Sequence, residues 1–97
     1  MNIFEYTTPN SGENFTTLLE HKNVKITRIV SSDDVEPIEY IQEEDEWLLL
    51  LEGEATLLIA DEEKKLTKGE TFFIPAKTPH TVLNTSSGTV WLTVYIF

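Results

Sequence analysis

The chain predicts an all-β sandwich or barrel, and three observations carry that expectation. No apolar period of 3.6 residues persists beyond a couple of turns. Short runs rich in branched and aromatic residues recur instead. Between them stand clusters of Gly, Pro, Asp, Ser and Asn at the spacing of turns in all-β folds.

The first strand is expected over Phe15–Glu20, and a stronger one over Val24–Val30, VKITRIV. SSDDVEP reads as a loop ended by Pro37. A third strand is expected over Ile38–Gln42, with the acidic run Glu43–Asp45 as its turn. Trp47–Leu51 is apolar at every position, which predicts cover on both of its faces. Gly53 punctuates it, Ala55–Ala60 follows, and DEEKK reads as an exposed turn running into a short strand near Leu66. Gly69-Glu70 makes a further turn. Thr71–Ile74 is a strand stopped by Pro75, AKTP a loop, Thr81–Leu83 a strand and TSSG a turn. Val90–Phe97 forms the last strand. With no linker, repeat or low-complexity tract, residues 1–97 are expected to form one domain.

Composition narrows the function. The chain has no cysteine, so thiolate metal sites, disulfides and thiol catalysis are excluded. Seventeen acidic residues against seven basic ones give a net charge of -10, the wrong sign for nucleic acid and unfavourable for anionic membranes. Neither a basic-then-apolar leader nor a long apolar span is visible, and a cytoplasmic location is the expectation. Nucleophile elbows, phosphate-binding glycine loops and the H-E-x-x-H pair are absent as well.

Two segments carry a family pattern. GETFFIPAKTPHTVLN supplies Gly69, Pro75, His80 and Asn84 at the spacing G-x5-P-x-G-x2-H-x3-N, with Lys77 in place of the middle glycine. EWLLLLEG supplies Glu46 and Gly53 at the spacing that ends G-x5-H-x-H-x3-E-x6-G. The chain thereby resembles the cupin family over Asp34–Asn84. Tyr40 and Gln42 stand where that family's first motif has two histidines, and Asp34 where it has its opening glycine. This Tyr-x-Gln form is similar to a group of small cupins of unassigned activity. The resemblance implies an antiparallel double-stranded jelly-roll β-barrel whose inner face holds the functional site.

Strand alternation brings Glu46, Leu48 and Leu50 to one face, and likewise His80, Val82 and Asn84. If these faces point inward, Gln42, Glu46 and His80 converge in the barrel mouth. On the family pattern they are the candidate ligands of a divalent transition metal, Zn, Mn, Fe or Ni, with waters completing the shell. His80 could instead be a structural histidine, and Gln42 a hydrogen-bonding partner of Glu46 or of a substrate. Glu46 could be the last of a solvated acidic run, but the WLLLL that follows argues for burial and hence for a compensating partner. Glu43, Glu44 and Asp45 are assigned to solvent.

Tyr40 and Arg28 are the candidate substrate contacts. Tyr40 is read as cavity wall or hydrogen-bond donor. Arg28 shares a face with Val24, Ile26 and Val30. Inward, it could clamp an anionic substrate; outward, it is a snorkelling surface residue. Trp47, Phe73, Trp91 and Tyr95 read as core or interface aromatics. The barrel is expected to bind a divalent metal and/or a small organic ligand, as a metal-dependent enzyme whose reaction is unassigned or as a binding protein; the alternative is a metal-free, non-catalytic small-molecule-binding or sensor module. A homodimer is expected from the doubly apolar WLLLL and the aromatic VWLTVYIF.

Overall fold

The computed structural model describes residues 1–97 as nine strands without a helix. They are β1 (Glu13–His21), β2 (Val24–Ser31), β3 (Glu39–Tyr40), β4 (Asp45–Glu52), β5 (Glu54–Ile59), β6 (Glu62–Thr67), β7 (Thr71–Ile74), β8 (His80–Thr85) and β9 (Thr89–Ile96). All pairings are antiparallel. One sheet has the order β1-β2-β9-β4-β7, the other β3-β8-β5-β6. From β4 onward the chain changes sheet at β4–β5, β6–β7, β7–β8 and β8–β9. The result is the jelly-roll barrel that the cupin resemblance implies.

Period-2 alternation puts one row of each strand inside. Successive rows across the larger sheet are Lys25–Tyr95–Glu46–Ile74, Thr27–Thr93–Leu48–Phe72 and Ile29–Trp91–Leu50. Leu48, Leu50, Ile74, Ile29 and Trp91 meet Ala55, Leu57, Ile59 and Leu66 of the smaller sheet in one buried cluster. Burial of these side chains is the main favourable term, at roughly 1.5–3 kcal/mol for each large one.

The crossing from β4 to β5 depends on Gly53. Its φ of +89° is open to glycine, and a Cβ there would meet the Thr89 side chain and lie 2.8 Å from Thr89 Cα. Lys77 occupies the position of the motif's middle glycine, and its φ of 62° shows why glycine is the pattern there.

Three expectations are corrected. The third strand shrinks to Glu39–Tyr40, because Gln42 leaves the ladder and its carbonyl accepts from Lys77 N at 2.7 Å. The turn placed at DEEKK lies at Ala60-Asp61, both at positive φ, so Glu62–Lys65 belongs to β6. That strand is an edge, and its charged side chains discourage further pairing. Finally, Trp47–Leu51 is covered on one face only. Leu48 and Leu50 are buried, whereas Trp47, Leu49 and Leu51 are half-buried on the outer face.

Candidate functional site

The barrel encloses a cavity of about 390 Å³. Leu48, Leu57, Ile74, Val82, Ile29 and Trp91 form its apolar wall. Polar groups converge at one end: Tyr40, Gln42, Glu44, Glu46, His80 and Tyr95.

Each arrives by a local rule. Glu46 is inward because it shares parity with Leu48 and Leu50 on β4. His80 opens β8 opposite Tyr40 of β3 and Ile59 of β5. The two residues therefore face each other from different sheets, with His80 Nε2 3.9 Å from Glu46 Oε1. Both are buried, at 9% and 6% exposure. Gln42 Nε2 donates to Glu46 Oε1 at 3.0 Å. The Tyr40 ring stands 6.0 Å from that of His80, tilted by 31°.

His80 has a defined tautomer in its neutral form. Nδ1 lies 3.0 Å from Thr78 O. A carbonyl only accepts, so Nδ1 carries the proton and Nε2 turns its lone pair toward Glu46. Burial raises the Glu46 carboxyl above its ordinary 4.5, against the lowering influence of Gln42 and His80. Tyr95 is the cross-strand neighbour of Glu46. Burial first, and the Glu46 charge second, push its phenol up to about 12.

The structure thus brings Gln42, Glu46 and His80 together, with Tyr40 at the rim, half-exposed. Arg28 does not join them. Thr27 and Ile29 on either side of it face the cavity, so Arg28 points to the outer face of β2. There its Nη1 donates to Ile3 O at 3.1 Å and Glu5 O at 3.0 Å, and its guanidinium lies 5.7 Å from the Tyr6 ring centre. Arg28 is thus buried outside the cavity, on the outer face of β2, and holds the backbone of the N-terminal segment.

The acidic run also divides differently. Glu43 is exposed, 3.8 Å from Lys77 Nζ. Asp45 Oδ1 accepts from Ala76 N at 2.7 Å and fixes the loop after β7. Glu44 lines the cavity.

Sequence reasoning missed Tyr95, Thr27 and Thr93 as cavity residues. The alternation of Trp91, Thr93 and Tyr95 was a signal, but only the β2–β9–β4 register sets their row beside Glu46. Thr27 Oγ1 is buried without a hydrogen-bond partner.

A jelly-roll barrel with a polar-ended internal cavity is the class that fold and site define. The chain belongs to the cupin family: the cupin domain model matches residues 27–95. A Ralstonia eutropha protein provisionally assigned as a mannose-6-phosphate isomerase is 30% identical, with a TM-score of 0.91 over 99% of this chain and 95% of that one. A conserved Streptococcus pyogenes protein of unknown function superposes with a TM-score of 0.83 at 20% identity, over 99% and 84% of the two chains. An RmlC-like cupin from Shewanella frigidimarina gives 0.81 at 18% identity, over 96% and 86%. The latter two share the fold. No curated protein matches the chain significantly. No helix is long and apolar enough to cross a membrane.

Proposed function

We propose that this cupin binds a small organic molecule inside its barrel, with Glu46 and His80 as the polar groups that meet it. The observation that carries this reading is the cavity itself: an apolar wall ending in a few convergent polar side chains, two of them buried and titratable. Gln42 orients Glu46 through its amide, and the Thr78 carbonyl orients His80. Glu46 is a group that can take and return a proton, since burial makes its charged form less favourable. His80 Nε2 can accept a hydrogen bond from the ligand.

The assignment of the Ralstonia protein fits in one respect. An aldose–ketose shift needs one group that removes a proton from one carbon and returns it to the next, and Glu46 is suited to that. A phosphate fits poorly, because Glu13, Glu44 and Glu46 share the cavity with Lys25 as the one lysine or arginine of its lining.

A second reading keeps the divalent metal, and the orientation of His80 favours it: an Nδ1–H held by a carbonyl and a free Nε2 is how metal-binding imidazoles are commonly set. The donor set falls short of a closed shell. It offers one imidazole, one carboxylate and one amide whose NH2 group faces the carboxylate, and no three His, Cys, Asp or Glu side chains are grouped so that they could hold one ion. A resident Zn, Mn, Fe or Ni ion would need the Gln42 amide reversed and water or ligand at the remaining positions. The organic ligand without a resident metal is therefore the preferred reading.

The test is a thermal-shift screen of small organic molecules against the protein and a Glu46→Gln, His80→Ala double variant. Compounds that raise the Tm of the first and not of the second support the site. Compounds that raise both equally contradict it.

We also infer a homodimer. On the outer face of the larger sheet Trp47 pairs with Phe73 and Val94, and Leu49 with Leu92, a continuous apolar stripe. Phe73 is 49% exposed and the others are half-buried.

A further inference from the structure

Building on the reading of the barrel as a small-molecule site, we propose that its ligand is a small organic cation, an alkyl- or arylammonium. Its charged nitrogen pairs with Glu46, and its apolar body lies along Leu48, Leu57 and Val82.

Charge is the first support. Three carboxylates, Glu13, Glu44 and Glu46, line the cavity. Lys25 is the one fixed cation among the lining residues, and its ammonium lies 3.9 Å from Glu20, half-exposed. The net charge of -10 adds a field that draws cations and repels anions.

The second support is an incomplete shell around Glu46. This buried carboxylate receives one hydrogen bond from the protein, from Gln42, while His80 Nε2 stands beyond hydrogen-bonding distance. A buried carboxylate is stabilised when a cation and further N–H donors reach it. An ammonium carries both.

The third is the surroundings. Tyr40, Trp91 and Tyr95 present aromatic rings to the cavity, and rings attract desolvated cations. Independently, Thr27 is 3% exposed and its Oγ1 has no partner in the protein, although the residue lines the cavity. Thr27 lies one row deeper than Glu46 and two strands away.

The experiment is an NMR titration of the full-length protein with three probes of one shape and different charge: benzylamine, benzyl alcohol and benzoate. Benzylamine is expected to bind about tenfold or more tightly than benzoate, and to lose about tenfold in Glu46→Gln while benzyl alcohol binding is kept. The same spectra report whether the variant is folded, and the charge series on the unmodified protein needs no variant. Benzoate binding as tightly as benzylamine, or benzylamine indifferent to Glu46→Gln, overturns the inference. If benzyl alcohol or benzoate shifts the cavity resonances and benzylamine does not, the cation fails and the binding cavity stands. If none of the three does so at millimolar concentration, both fall.

Discussion

Glu46 Oε1 and His80 Nε2 face each other across the barrel at 3.9 Å, from two different sheets. The separation is too long for a hydrogen bond, so neither group satisfies the other's hydrogen-bonding capacity. They are held from behind instead, Glu46 by Gln42 and His80 by Thr78. Groups oriented from behind and left unsatisfied in front are prepared for a third party.

Glu46→Gln is expected to stabilise the ligand-free protein at neutral pH, because it replaces a carboxylate whose charged form burial disfavours with a neutral group of the same shape. The sign with pH follows from the raised carboxyl. The folded state holds its proton to a higher pH than the unfolded chain, which releases it near 4.5. Stability is therefore lost as pH rises from 4.5 through the folded-state value. Thermal unfolding from acid to neutral pH should show the variant's advantage at neutral pH and its disappearance near pH 4.5. A variant less stable at every pH would contradict the account.

Tyr95 should ionise late. Its phenol is pushed up to about 12, so the folded protein keeps a proton that the unfolded chain loses near 10. Stability is lost as pH rises across that window. Ultraviolet titration should show a late phenolate step that Tyr95→Phe removes.

Arg28→Ala should destabilise the fold by about 1–3 kcal/mol through loss of two charge-assisted bonds to the N-terminal segment. Ligand binding should be unchanged, because Arg28 faces away from the cavity. Urea unfolding and the amide exchange of residues 3–6 measure the first part, and a titration with any cavity ligand the second. Binding reduced in a fully folded variant would restore Arg28 to the site.

Trp47→Glu should convert a dimer to a monomer, since it places a charge in the centre of the apolar outer stripe. Light scattering of both proteins reads this directly. An unmodified protein that is monomeric at high micromolar concentration sinks the dimer.

The fold was legible because its information is local. Alternation and turn residues mark the strands, and the errors lie at Gln42 and Ala60-Asp61, where a non-local hydrogen bond and a tight turn overrode the pattern. The site was legible as far as parity reaches: Glu46 travels with Leu48, and His80 opens its strand at motif spacing. Register is different, because nothing within β9 alone places Tyr95 beside Glu46. Arg28 was ambiguous for a related reason: nothing within β2 shows that the face it shares with Val24, Ile26 and Val30 lies outside the cavity, or that the Ile3 and Glu5 carbonyls come to meet its guanidinium.

Elemental mass spectrometry of tag-free protein, with and without prior incubation with Mn, Fe, Ni and Zn, tests the central claim most directly when set beside His80→Ala. The account predicts metal well below one ion per chain in both proteins. A near-stoichiometric transition metal that disappears in His80→Ala would contradict it and make Glu46 and His80 a metal centre.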